Sequence, residues 1–279
     1  MVHKRILVNM NPHLRLPLLV LILIVLAPRG GSGEAAKAPA PPSDGRTAVV
    51  ELFTSQGCSS CPPADRLLSR LARDPRYQGK VIPLSFHVDY WNYIGWTDPY
   101  SSSRWSQRQQ LYAARAFHSN RIYTPQVVVN GRAECVGSQE GAVIDRIANA
   151  LAAEPAGSVS LAVDPPTPDG HLRVKVDARM TKAAGPGNLD LWVAVYENEL
   201  STPVKAGENA SRTLRNDRVV RRFEKAFTLP AAAGAEKSGE IVLGIDKRWK
   251  VQDLGVAAFL QDPATLAIHG AAARELGGR

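Results

Sequence analysis

Two cysteines three positions apart, in the run Gly57-Cys58-Ser59-Ser60-Cys61-Pro62, are the residues of this sequence best suited to covalent chemistry. That spacing serves thiol-disulfide exchange, metal capture by thiolates or a structural staple, and the surrounding chain has to decide among them. The pair follows an apolar run, Thr47 to Phe53, that reads as a buried strand. It precedes Ala64 to Ala72, where Leu67, Leu68 and Leu71 recur at helical spacing beside Arg66, Arg70 and Arg73. Cys58 therefore lies near a helix N-terminus, where free N–H groups and the helix dipole favour an anion. The anion would be the thiolate, the form that attacks a disulfide. This predicts that Cys58 is more exposed and more acidic than the other thiols, with Cys61 placed to resolve the mixed disulfide. Pro62 and Pro63 lack N–H groups, a loss tolerated only in the first turn, and so pin the helix start. Ser59 and Ser60 can donate to the thiolate, or are simply small, polar helix-entry residues.

His87 and Asp89 close a second apolar strand, Val81 to Val88, on the edge where parallel α/β sheets place their ligand sites. Either is a candidate for moving protons to or from Cys61; the alternative is a satisfied strand histidine and a capping aspartate. Trp91 is a candidate for substrate contact. With Tyr90, Tyr93 and Trp96 it would floor a groove, or else anchor the local chain by packing. Cys135 reads as a buried thiol acting as a small hydrophobe. Cys58, Cys61, Cys135 and His87 together make a conceivable Cys3His zinc set, and the close pair alone a Cu(I) site. The scattered spacing counts against the zinc set, so no metal and no cofactor is expected.

The elements that must position these residues follow from pattern and punctuation. Asp74-Pro75 stops the first helix, giving strand, helix, strand with a crossover suited to parallel pairing. Residues 98–119 are polar and rich in Gln and Arg, which predicts one or two surface helices. Thr124-Pro125 stands at a strand start, because proline is poor inside a sheet. Gln126 to Val129, Asn130-Gly131 and Arg132 to Val136 spell a hairpin with a tight turn. Ser138 is the expected cap of a last helix running to Ala152. From Gly157 the pattern changes to alternation, as in Val159-Leu161-Val163 and Leu172-Val174-Val176, which predicts antiparallel strands and a separate β-sandwich-like domain over 157–279.

Composition bounds the partners. The chain has 279 residues, 44% hydrophobic and 22% charged, the balance of a folded protein. Lys4, Arg5 and Arg15 flank an apolar stretch from Leu16 to Ala27, too short for a membrane span, and residues 1–38 read as a signal peptide. Uncleaved, that leader would be the one contact with a membrane. Residues 39–46 read as a flexible linker rich in Pro and Ala. Removing the leader leaves 29 basic and 25 acidic side chains, so the net charge falls from +8 to +4. With only Arg218 to Arg222 as a dense basic block, nucleic acid is not an expected partner. An exported protein lives in an oxidising compartment, the periplasm or outside the cell, where a close cysteine pair persists as a disulfide.

The strand, CxxC, helix, strand, insertion, Thr-Pro, hairpin, helix order resembles the thioredoxin fold. More narrowly, Glu51 to Pro63, His87-Val88-Asp89-Tyr90-Trp91 and Tyr123-Thr124-Pro125-Gln126 resemble an uncharacterised bacterial family of exported thioredoxin-like proteins. The resemblance covers residues 47–152, and the β-rich part only through Gly207-Glu208-Asn209 and Arg212-Thr213-Leu214. It implies an α/β thioredoxin-like domain over 47–152, with a helical insertion at 90–120, followed by the mainly antiparallel β domain. It also implies that Pro125 is cis and packs on the disulfide, and that the backbone of Thr124 holds a substrate chain. The expected function is thiol-disulfide oxidoreduction on exported protein thiols or disulfides, together with a redox partner. Thiolate metal binding and a noncatalytic interaction protein with a structural disulfide stand as alternatives.

Overall fold

The computed structural model describes residues 45–277. The expected signal peptide and most of the linker lie outside the described residues. Strand β1 (Ala48–Thr54), helix α1 (Pro62–Arg73) and strand β2 (Val81–His87) come first. Helix α2 (Ser103–Leu111) runs on into a π-helical turn at Tyr112–Ala116. Strands β3 (Gln126–Val129) and β4 (Ala133–Val136) and helix α3 (Glu140–Ala152) follow. The remaining chain is strands: β5 (Gly157–Val163), β6 (His171–Met180), β7 (Asn188–Glu197), β8 (Leu200–Pro203), β9 (Thr213–Asn216), β10 (Val219–Pro230), β11 (Glu236–Gly244), β12 (Leu254–Gln261) and β13 (Ile268–Glu275). Among the described residues no helix is long and apolar enough to cross a membrane.

β1 and β2 pair in parallel with Thr54 opposite His87, while β3 pairs antiparallel on the other side of β1 and β4 on β3. β1 is buried along its whole length, and its side chains alternate between two cores. Ala48, Val50 and Leu52 face α1 and α3, meeting Leu67, Leu68, Leu71, Val143 and Ile147. Val49 and Phe53 point the other way, toward Phe86, Trp105 and Tyr112. The leucine spacing of α1 thus does what an amphipathic stripe must, burying one face on the sheet. α3 begins at Glu140 behind Gln139, with no side-chain cap, so Ser138 does not play the expected capping part.

The boundary expected at residues 152–157 does not divide the sheet. The eight strands run β13-β12-β7-β10-β2-β1-β3-β4, and β10 lies beside β2 in parallel, Val219 opposite Ser85. Chain from beyond Gly157 therefore completes the sheet that carries the cysteines. The alternation of β6 behaves as expected, its even-numbered residues buried. β12, by contrast, is buried along its whole length, because it is an inner strand covered on both faces. A three-stranded sheet, β11-β6-β5, sets Leu172, Val174 and Val176 in one core with Leu191, Val193, Val256 and Leu260 of the large sheet.

The segment at 98–119 is less superficial than its polarity predicts. Trp105, Ser106, Arg108 and Gln109 of α2 are buried. Arg108 donates to both carboxylate oxygens of Glu51 in β1, at 2.6 and 3.0 Å, and Tyr112 donates to the same carboxylate. The guanidinium also lies 4.6 Å from the Phe223 ring centroid. A buried ion pair that is fully hydrogen-bonded and stacked on aromatics clamps α2 to the sheet, which is why a charged helix sits in the interior.

Candidate functional site

Cys58 and Cys61 form a disulfide, with their Cα atoms 5.5 Å apart, just beyond the C-terminal end of β1. Cys61 is the N-cap of α1, and Pro62 and Pro63 take the first two helical positions, where no N–H is needed. The Cys61 N–H donates to Cys58 C=O, and the Cys58 N–H to Ser55 C=O, so the loop is a pair of tight turns. Ser60 Oγ lies 3.3 Å from Cys58 Sγ. The expected exposure of Cys58 is not found. Both bridged cysteines are 0% exposed, and Cys135, half-buried in β4 opposite Val127, is the most accessible of the three. Burial pushes the Cys135 thiol above its ordinary value.

What covers the cysteines is the connection between β8 and β9. Asn209, itself fully buried, donates from Nδ2 to the carbonyls of Gln56 and Cys58, at 2.9 Å each. Arg212 donates to Asn209 Oδ1, which holds the amide in that orientation. Glu208 accepts from the Ser59 N–H, and those hydrogen bonds hold its carboxyl below the usual range. Gly207, at φ +75°, lies against Ile94 and Trp96 where a Cβ would stand 3.2 Å from Trp96 Cβ. Trp96 in turn donates to Gln56 Oε1. A strap from the strand-rich half of the chain therefore closes over the cysteine loop.

Beneath the loop lies a buried titratable cluster. His87 Nδ1 is 2.7 Å from Asp98 Oδ2, both side chains fully buried. Asp98 also accepts from the N–H groups of Gln56 and Tyr100. Burial works against the imidazolium, but the Asp98 charge and hydrogen bond hold His87 above its ordinary value. Burial likewise opposes the Asp98 anion, and His87 reverses this to leave Asp98 low. Asp65, one turn along α1 with its N–H on Cys61 C=O, accepts from Thr54 Oγ1. Burial pushes Asp65 up to about 6, against the opposing pull of His87 and Thr54. His87 Nε2 is buried and has no hydrogen-bond partner among the described residues.

The other expected site residues divide. The Thr124–Pro125 peptide bond is cis. Trp91 Nε1 donates to Thr124 Oγ1 at 2.7 Å, and Trp91 Cβ would stand 3.2 Å from a Cβ on Gly57, so Trp91 links the cysteine loop to the Thr-Pro segment. Pro125 lies by Gly137, where an added Cβ would touch Leu52, Ala64 of α1 and Pro125. Asp89 is turned away: its N–H and carboxylate both engage Ser106 of α2. The carboxylates bonded to the cysteine loop and the chain around it are Asp65, Asp98 and Glu208. Tyr90 bonds Gln109, while Tyr93 stands 83% exposed. Among the described residues no three His, Cys, Asp or Glu side chains gather as a metal site, so Cys135 does not complete the Cys3His set. Two members of the basic block are paired, Arg218 with Glu275 and Arg221 with Glu197.

Asp98, Asp65, Glu208 and Asn209 are the side chains around the cysteine loop that sequence reasoning misses. Gly207-Glu208-Asn209 carries part of the family resemblance, but nothing local ties it to Cys58, 151 positions away. Asp65, by contrast, is an acid in the first turn of α1 among the buried Ala64, Leu67 and Leu68, a local signal.

No curated protein matches the chain. A crystal structure of a protein from Agrobacterium tumefaciens is 32% identical, with 83% of this chain covering 95% of that one at a TM-score of 0.61. HBP35 of Porphyromonas gingivalis is similar in fold at 18% identity and a TM-score of 0.60, over 84% of this chain and 76% of that chain. A family model described as a protein of unknown function matches residues 49–261, and the chain belongs to that family, DUF1223.

Proposed function

We propose that the protein is an exported thiol-disulfide oxidoreductase, acting on protein thiols or disulfides through Cys58 and Cys61 on a thioredoxin-like unit spanning 47–152. The observation that carries this reading is the placement of the disulfide. It stands at the C-terminal edge of a parallel strand pair, at a helix start, with the buried acid Asp65 and the paired imidazole His87 behind it. A structural staple needs no titratable groups beneath it, whereas exchange does, because each half-reaction releases or takes up a proton.

In the oxidising direction a partner thiolate attacks Cys58 Sγ, forming a mixed disulfide, and Cys61 leaves as a thiolate. Asp65, protonated near neutral pH more often than a free aspartic acid, would return a proton to Cys61. A second thiolate of the partner then attacks its own sulfur in the mixed disulfide and releases Cys58. Two electrons pass from the partner to the pair, and the partner gains its disulfide; the reducing direction is the reverse. Trp91 and Thr124 border the loop and form the face on which an extended chain would lie. A periplasmic or extracellular location fits an oxidised pair and a leader-like N-terminus.

A second reading, that the disulfide is a fixed staple in an interaction protein, is favoured by the complete burial of both cysteines under Asn209. Turnover separates the two. The oxidised protein should convert a reduced peptide dithiol to its disulfide catalytically in a glutathione buffer, and Cys58→Ser should abolish this. No acceleration over buffer would leave the staple as the function of the pair.

A further inference from the structure

A second concave site lies at the end of β1 away from the cysteines. Arg46 and Thr47 border it, with the Asn130 turn, the chain just after α3 and Ile268 to Gly270 of β13. Seven residues of β1 separate it from the disulfide end, about 20 Å at the usual strand rise. The cavity holds about 700 Å³, within the range that takes a small organic molecule. Its walls are mixed. Phe117, Val129, Ala150 and Ile268 supply apolar surface, and Arg46, Arg132 and Arg146 supply charge.

The acids nearby are engaged elsewhere. Glu134 accepts from Tyr123 and Gln126, and Glu154 is paired with Lys182. Arg132 and Arg146, in contrast, have no side-chain hydrogen bond or ion pair among the described residues. A second lobe of about 380 Å³ shares Arg132 and His269 and carries the Asp262 carboxylate, which caps the turn at Ala264 and Thr265.

His269 is the telling residue. It borders both lobes, is 9% exposed, and its Nε2 is buried with no partner among the described residues. Burial, with Arg132 beside it, holds the imidazole below its ordinary value, so it is neutral near pH 7 and can offer one N–H without adding charge. Two cations without a carboxylate partner, lining a cavity beside a neutral imidazole, call for an anion. The C-terminal end of α3 and Glu154 stand on the same rim and oppose a second negative charge. An apolar wall next to the cations calls for an organic body.

We propose that this cavity binds a small organic monocarboxylate, its carboxylate held by Arg132 and Arg146 beside the neutral His269 imidazole and its apolar body against Phe117 and Ile268. Such a carboxylate needs two or three donors and tolerates the acidic rim, whereas a phosphate dianion would meet that rim with twice the charge.

The test is calorimetric titration of the full chain with benzoate, with hexanoate and with inorganic phosphate. Saturable one-to-one binding of benzoate or hexanoate is expected, weakened about tenfold or more in Arg132→Gln and in Arg146→Gln. Both arginines are at least partly exposed, so these variants keep the fold, which circular dichroism checks. His269→Gln should weaken binding too. Cys58→Ser should leave it unchanged, which separates this site from the redox reading. No saturable heat with either carboxylate, binding indifferent to both arginine variants, or phosphate binding at least as tightly would overturn the assignment.

Discussion

Asn209→Ala should turn the strap over the cysteines into a loose flap and make the disulfide easier to reach. In the closed structure one amide donates to two buried carbonyls, Gln56 and Cys58, at 2.9 Å each, and is braced by Arg212. Each such bond is worth about 0.5–1.5 kcal/mol net, so losing both removes about 2 kcal/mol from the closed state. In the open state both carbonyls find water, and the penalty falls on closure alone. A shift of that size raises the open fraction about thirtyfold. Both sulfurs are 0% exposed in the closed form, so a reductant must wait for opening. The initial rate of reduction by excess dithiothreitol, followed by thiol trapping, should rise by about the same factor. If the variant is reduced at the wild-type rate, the strap does not gate the site, and its contact with Cys58 is incidental.

Three further outcomes follow from buried groups. Asp65 holds its proton up to about 6 in the folded protein against 3.8 for the free side chain, so the folded state binds more protons in that window. Stability present below about pH 4 is therefore lost as pH rises through 6, by on the order of 3 kcal/mol, and urea titrations should show Asp65→Asn free of this loss and more stable than wild type at pH 7. Arg108→Ala strands the Glu51 charge in the core and should cost about 3–5 kcal/mol, while the double change with Glu51→Gln recovers much of it; equal stability of the single and double variants would contradict the clamp. Gly131 sits at φ +65° with a would-be Cβ 1.9 Å from Leu266 O, so Gly131→Ala should lower stability by more than about 2 kcal/mol in denaturant melts.

Much of the site is legible because its parts are local. The strand before Cys58, the proline pair after Cys61 and the Asn130-Gly131 turn each announce themselves within a few residues, and the elements fall where those signals place them. The partners that give the site its chemistry are not local. Asp98 reaches Gln56 across 42 positions and Asn209 reaches it across 153, and no periodicity encodes either contact. Arg108 misleads for a related reason: a charged residue in a polar helix reads as solvated until its counterion, Glu51, appears in the middle of an apolar strand. Alternation after Gly157 correctly signals strands, but it does not say which sheet they join. β10 meets β2 through a short ladder at Val219 that leaves no mark on the pattern of either strand.

Cycling of Cys58 and Cys61 between disulfide and dithiol requires a reduction potential in the range of exchange catalysts. Equilibration of the full chain with graded glutathione or dithiothreitol buffers, read by thiol trapping, should place it between about −270 and −120 mV, where exchange catalysts operate. A potential below about −300 mV, the range of structural disulfides, would contradict the account and mark the pair as a staple.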